Sequence, residues 1–374
     1  MSTADRYTVP TADTMWDVKQ QFTSTFCWEY EDGRASLLGL YEKGKLRQWN
    51  AAERIDWSRE LDPENPEQLP DETMPIFGSE PYRRMTERER VTARTHFQAW
   101  QLSQFMHGEQ GALICTAKIV QQVPSMDAKF YAATQVIDEA RHVEAYSRLL
   151  HEKFQLAYPI TPTLRTLLEN VLSDSRWDMT YLGMQVLIEG LALASFASIR
   201  DLARNPLAAS VNAYVMQDEA RHVAFGRLAL RDYYPQLTQP ERDEREEFAV
   251  EACYAMRDRF QAEEVWSALG LPVAECAAYM RDSDFMCRYR SALFTRIVPA
   301  MKDIGLWGDK IRRAYGEMGI LGFADADLGE LGRHDEQVAH EFDTRRSEVE
   351  ALAREPARET IETSSPAVLS SDRC

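Results

Sequence analysis

From about Thr86 to Tyr233, apolar residues recur at three- and four-residue intervals through stretches long enough for extended helices. The pattern predicts four long helices, over about 86–122, 126–156, 163–203 and 207–233. Pro124, Pro159, Pro162 and Pro206 fall at the breaks between them, where proline does not interrupt a helix interior. Further helical periods run over about 240–268, 272–293, 308–317 and 327–354. Ahead of the bundle the chain is polar and irregular, with one helical piece near Leu37–Trp57. The run from Leu61 to Pro75, carrying Pro63, Pro66, Pro70 and Pro75, reads as an extended connector. No alternating stretch predicts a strand, so the expected fold class is all-α. The expected division is an N-terminal extension packed on the bundle (1–85), a helical domain with accessory helices (86–325), a C-terminal helix (326–354) and a disordered tail (355–374), rich in Ser, Thr and Pro.

Composition narrows the function. Apolar residues make up 44% and charged residues 28%, ordinary for a globular protein. A net charge of -17 argues against nucleic acid as a partner, because phosphate binding needs a basic face. Cys27, Cys115, Cys253, Cys276, Cys287 and Cys374 form no C-x-x-C pair and no framework, which suits a reducing cytoplasm. The first residues lack the apolar core of a secretory signal, and no run approaches about 18 consecutive apolar residues, so no membrane span is expected.

The chemistry lies in a repeat. Asp-Glu-Ala-Arg-His-Val occurs at 138–143 and again at 218–223. Each copy holds Glu-x-x-His, Glu139 with His142 and Glu219 with His222, and that spacing puts both side chains on one helix face. One copy arises readily by chance or as a surface salt bridge with the neighbouring arginine. Here Glu109 precedes Glu139 by 30 residues, Glu189 precedes Glu219 by 30, and the whole set repeats at an offset of 80. In an antiparallel hairpin two residues share a height when the turn lies midway between them. The midpoint of 109 and 139 is Pro124, and that of 189 and 219 is Arg204, inside the Ala203–Pro206 break. At about 1.5 Å per residue, each pair sits about four turns from its loop, so all six groups can meet at one level of a four-helix bundle.

One Glu from each of two helices plus Glu-x-x-His from each of the other two is the di-iron carboxylate pattern. Carboxylates and imidazoles suit iron or manganese, and four carboxylates balance two divalent ions. Glu109 and Glu189 stand in apolar surroundings, where an unpaired acid is costly. Asp138 and Asp218 are placed to accept the second N–H of the histidines, each across the site from its own motif. Arg141 and Arg221 can offset the negative charge. His96, His107, His151, His334 and His340 carry no such pattern.

On these residues the chain resembles the ferritin-like di-iron oxidase and oxygenase superfamily over about residues 95–230. Gly108–His142 is similar to the hydroxylase subunit of bacterial multicomponent monooxygenases. Those hydroxylases are larger and carry threonine four residues after the third glutamate, where this chain has Leu193. It also resembles ribonucleotide reductase small subunits, whose radical tyrosine follows the first histidine by four residues, as Tyr146 follows His142, although they normally use Asp where Glu109 stands. Acyl-carrier-protein desaturases share the motifs with a longer gap. Arylamine N-oxygenases add a histidine near the last ligand helix, where this chain shows Val215, Met216, Phe225 and Gly226.

The resemblance implies two iron ions, or a manganese/iron pair, with O2 as co-substrate. The expected activity is hydroxylation, N-oxidation or desaturation of a small organic molecule, with Phe105, Leu193 and Phe196 lining the pocket. No G-x-G-x-x-G fingerprint and no iron–sulfur cysteine set is present, so an external donor such as a ferredoxin or reductase is expected. A homodimer, a radical-generating subunit and an iron-storage protein stay open as alternatives. Storage fits the added helices at 240–354 less well than a shielded pocket does.

Overall fold

The structure is a computed structural model, and it describes residues 16–30 and 33–354. No strand occurs among the described residues. The tail expected at 355–374 lies outside them.

The N-terminal part contributes α1 (Ala35–Leu46), α2 (Ala51–Arg54) and α3 (Glu80–Arg84). The core follows as α4 (Glu87–Gln122), α5 (Met126–Arg148), α6 (Pro162–Ser173), α7 (Trp177–Thr180), α8 (Glu189–Leu202) and α9 (Pro206–Tyr233). Each start has a local cause. Thr86 and Glu89 form a reciprocal capping box at the head of α4. Thr161 caps α6 ahead of Pro162, and Asn205 accepts from the amides of Leu207 and Ala208 ahead of Pro206. The turns at Val123–Ser125 and Ala203–Asn205 make α4/α5 and α8/α9 antiparallel hairpins, and these two hairpins form the bundle.

The helix expected at 163–203 is two helices in the structure. Asp174 accepts from the Arg176 amide, turning the chain, and the buried Lys118 ammonium binds the carbonyls of Leu172 (2.9 Å) and Asp174 (2.6 Å) at the end of α6. Between α7 and α8, Tyr181–Ile188 widens to π-helical geometry, and every residue of that segment is buried. Trp177–Leu202 is thus one continuous helical rod. It has the length and mean hydropathy (1.6) of a membrane span, but 78% of its apolar window is buried inside the fold, which makes it the central core helix. Gly226 of α9 allows the close approach of this rod, since a Cβ there would meet Cβ of Gln185 at 2.6 Å.

Beyond the bundle come α10 (Gln239–Asp258), α11 (Glu263–Ala268), α12 (Val273–Asp282), α13 (Asp284–Ala292), α14 (Ile297–Asp303), α15 (Asp309–Glu317) and α16 (Leu328–Arg354). The spans expected as single helices at 240–268 and 272–293 are each divided. A left-handed residue, Ala262 (φ 48°), breaks the first, and Ser283, capping α13 through the Met286 amide, breaks the second. The chain then returns to the bundle. Asp335 of α16 lies fully buried between Arg200 (2.8 Å) and Arg296 (2.6 Å). At the other end α1 packs on α5 and α9, and Arg34 holds Asp127 at 3.0 Å.

Candidate di-metal centre

The four bundle helices bring Glu109 (α4), Glu139 and His142 (α5), Glu189 (α8) and Glu219 and His222 (α9) together in the core, none more than 5% exposed. Their potential ligand atoms form two overlapping groups. One contains Glu109, Glu139, His142 and Glu219, the other Glu139, Glu189, Glu219 and His222, with all atoms of a group within 4.8 Å of one another. Glu139 and Glu219 belong to both. His142 Nδ1 lies 3.0 Å from Glu219 Oε1, 3.3 Å from Glu109 Oε2 and 3.4 Å from Glu139 Oε2. His222 Nδ1 lies 3.0 Å from Glu139 Oε1 and 3.3 Å from Glu219 Oε1.

The opposite ring nitrogens meet aspartates. His142 Nε2 is 3.1 Å from Asp218 Oδ2, and His222 Nε2 is 3.2 Å from Asp138 Oδ2. Each aspartate therefore faces the histidine of the other half of the repeat. Arg141 joins the halves by donating to Asp138 Oδ1 (2.5 Å) and Asp218 Oδ2 (2.9 Å), while Arg221 pairs with Asp218. Two residues of the N-terminal extension complete this layer. Gln48 Nε2 donates to Asp138 (2.7 Å) and Trp49 Nε1 to Asp218 (2.8 Å). Arg141 donates to Gln48 Oε1 (2.8 Å) and stacks over the Trp49 ring at 4.6 Å. Gln135 donates to Glu139 (2.9 Å) and Glu189 (3.1 Å), and Gln185 to Gln135 (3.2 Å). No pattern in the sequence pointed to these glutamines or to Trp49.

The electrostatics demand a cation. Burial, then the charge of Glu219, pushes the Glu109 carboxyl well above its usual range, and burial followed by Glu219 and Glu139 does the same to Glu189. Burial alone would depress both histidines, but the surrounding carboxylates drive them well up. Glu139 goes the other way, since His222 and His142 outweigh its burial and hold it low. Both oxygens of Glu219, one each of Glu139 and Glu189, and Nδ1 of His222 are buried without a hydrogen bond. Such orphaned ligand atoms cost several kcal/mol in a dry core unless a cation takes them. Oxygen and imidazole donors without thiolate fit two iron or manganese ions, with the aspartates fixing the histidine tautomers.

Tyr146 is fully buried one turn beyond His142, and its hydroxyl donates to Asn212 Oδ1 at 3.1 Å. Beside the cluster lies a small cavity lined by Glu109, Glu189, Glu219, Phe105, Leu164, Met184, Ile188, Leu191, Phe196 and Arg259. Phe105 and Phe196 meet edge to face at 4.7 Å on its wall. Leu193 is buried but does not line it, a correction to the sequence expectation, because the helix phase of α8 presents Ala192 and Phe196 instead. Farther along α4 and α8 is a second, apolar cavity, bounded by Phe97, Trp100, Ile199 and Tyr289. The Tyr289 hydroxyl bridges Gln101 (3.2 Å) and Ser195 (3.0 Å).

Among the described residues, no third imidazole joins the pair. Val215 and Met216, about one turn before Glu219, are buried apolar residues, and His96 and His107 instead bond the Tyr158 hydroxyl (2.6 Å) and carbonyl (2.9 Å).

The family model of p-aminobenzoate N-oxygenase AurF matches residues 31–305. Among solved structures, the chain is similar to a point mutant of an R2-like ligand-binding oxidase with anaerobically reconstituted Mn/Fe cofactor. The identity is 16%, the match covers 75% of this chain and 95% of that one, and the TM-score is 0.48. A second mutant of that oxidase, with the same cofactor, gives 16%, 75%, 95% and 0.47. No curated protein matches. The chain belongs to the AurF N-oxygenase family and is an O2-dependent, non-haem di-iron oxidoreductase of ferritin-like fold acting on a small organic substrate.

Proposed function

We propose that Glu109, Glu139, His142, Glu189, Glu219 and His222 are the metal ligands and catalytic residues, and that the reaction is N-oxygenation of a small organic amine. The observation that carries the reading is the pair of overlapping ligand groups sharing Glu139 and Glu219, which suits two ions bridged by two carboxylates. Glu109 and His142 would complete one ion's shell, Glu189 and His222 the other's. When bound, the metals supply the redox chemistry that activates O2. The protein's own residues set its conditions. Asp138 and Asp218 hold the imidazoles, Arg141 and Arg221 offset their charge, and the apolar wall of the adjoining cavity excludes water from the reacting face.

N-oxygenation is favoured over hydroxylation and desaturation by the family match. The electrons come from an external donor, a ferredoxin or reductase. Within the N-terminal extension, the segment around Gln48 and Trp49 closes over the aspartate layer of an 86–325 catalytic domain, supported by the contacts of those two residues. The C-terminal helix at 326–354 braces that domain. Unpaired thiols at Cys115, Cys253 and Cys276 in the core suit a reducing cytoplasm, and a homodimer is compatible with this arrangement. The test is to load the protein with Fe(II) and supply a reductant, O2 and a panel of small amines. O2 uptake coupled to hydroxylamine or nitro products, detected by mass, supports the reading. C-hydroxylated products alone would replace it.

A further inference from the structure

Glu67 is fully buried, and neither of its carboxyl oxygens has a hydrogen-bond partner. A carboxyl kept for structure bonds a neighbour, as Asp127, Asp178 and Asp335 do with arginines. Glu67 belongs to the proline-rich connector and lies outside the metal cluster. The loop that carries it is nevertheless fixed from two helices. Its amide donates to Gln98 Oε1 of α4 at 3.1 Å, and its carbonyl accepts from the Asn205 amide, just ahead of α9, at 3.3 Å. The next residue, Gln68, holds a left-handed backbone (φ 53°), which is costly for a residue with a Cβ. Glu67 is thus held at the end of the bundle where α8 gives way to α9.

The helix register orders the polar groups inward from it. Along α9, Asn205, Asn212 and Glu219 recur every seven residues and so share one face. Asn205 holds the Glu67 carbonyl, Asn212 accepts the Tyr146 hydroxyl at 3.1 Å, and Glu219 belongs to the metal cluster. Each step is about 10 Å along the helix. On α4 the same order reads Gln98, Phe105 and Glu109, with the Phe105 ring against Tyr146 at 5.7 Å. Tyr146 therefore stands between Glu67 and the cluster. Burial, then the charges of Glu109, Glu219 and Glu67, push its pKa well up.

N-oxygenation needs such a line of groups. One oxygen atom of O2 forms the N–O bond, the O–O bond breaks, and the other atom leaves as water. A proton enters with each electron from the external donor, and the apolar wall that excludes water also shuts out its protons. Burial raises the Glu67 carboxyl to about 8, so it holds a proton at neutral pH. Around its loop, Arg94 is committed to Asp71 and the Glu64 carbonyl, and Arg204 is exposed. The phenols that feel its charge are Tyr146 and Tyr289. A phenol hydroxyl donates and accepts at once, so Tyr146 passes a proton on without ionising. Glu64, three residues from Glu67, is exposed and gives it a short way back to solvent.

On the di-iron reading, we propose that Glu67 is a proton-relay residue, which supplies the reacting face of the cluster through Tyr146. The test compares native protein, E67Q, E67D and Y146F, each loaded with Fe(II), for amine-dependent O2 uptake across pH. Iron content and melting temperature are measured on the same samples. The native kcat is expected to fall as pH rises through about 8, where Glu67 ionises. E67Q is expected to lose about tenfold or more in kcat and to lose that fall, while keeping its iron and its KM for the amine. Y146F is expected to show a similar loss of kcat, and E67D to keep part of the native rate. Difference infrared spectra of the resting proteins give a readout independent of turnover: a protonated buried carboxyl at neutral pH in the native chain, missing in E67Q. A native kcat and pH profile in E67Q would overturn the proposal, and so would a native spectrum without that carboxyl. Should E67Q fail to fold, an unchanged kcat in Y146F would count equally against it. Fewer than two irons per native chain would instead bring down the di-iron reading, and this inference with it.

Discussion

Trp49 donates its indole N–H to Asp218 at 2.8 Å, and Asp218 in turn faces Nε2 of His142 at 3.1 Å. A residue of the N-terminal extension is thereby tied, through one carboxylate, to an imidazole in the middle of the bundle. Asp218 is held well below the usual carboxylate range against its burial by Arg221, His142 and Arg141. The indole adds a neutral donor that fixes the direction in which the carboxylate points. Replacing Trp49 by Phe keeps the ring over Arg141 and deletes that donor. The expected result is a roughly 10- to 100-fold weaker iron affinity, the usual range for losing an outer partner of a metal ligand. Competition with a chelator reads it. Native affinity in W49F would show that the extension merely covers the site.

Asp335 carries the docking of the C-terminal helix. It is the common partner of Arg200 and Arg296, and all three are buried. Truncation to Ala leaves two buried guanidinium groups, one of them, Arg296, with no other acidic partner among the described residues. The D335A variant is expected to lose about 3–5 kcal/mol of stability. Denaturant unfolding checks this, and a loss below about 1 kcal/mol would show that solvent reaches both arginines once α16 loosens.

Glu67 predicts a pH dependence. Its folded pKa is raised from 4.5 to about 8 by burial. Between those values the native state holds a proton that the unfolded state has released. Stability therefore falls as pH rises through this window, and levels off above it. The contribution is roughly 4 kcal/mol between about pH 4 and pH 8, at about 1.4 kcal/mol per pH unit. E67Q cannot ionise, so it is expected to match the native chain near pH 4 and exceed it at pH 8. Parallel stability curves for the two proteins would refute the assignment.

The convergence of the six side chains was legible because the hexapeptide repeats and because Pro124 and the Ala203–Pro206 break mark the hairpin turns. Helix arithmetic then places Glu109 level with Glu139 and Glu189 level with Glu219. The π-helical segment Tyr181–Ile188 was not legible, since a run buried on every side has no apolar face for periodicity to report. Nor was the break at Asp174–Arg176, which rests on Lys118 reaching across from another helix rather than on proline or glycine. Gln48, Trp49 and Arg259 belong to segments whose distance from the motifs is set by tertiary packing. A lone glutamine, tryptophan or arginine there carries no spacing that could betray it.

The shared positions of Glu139 and Glu219 separate this centre from any other cluster of buried acids. If both bridge two ions, replacing either one disturbs both, whereas Glu109 and Glu189 each serve one. The most direct measurement is the iron content of native, E139Q and E109Q protein after anaerobic loading with Fe(II). The expected values are about two irons per chain for the native protein, about one for E109Q and close to none for E139Q. A native chain that takes up no iron, or an E139Q variant that still holds two, would contradict the di-iron centre.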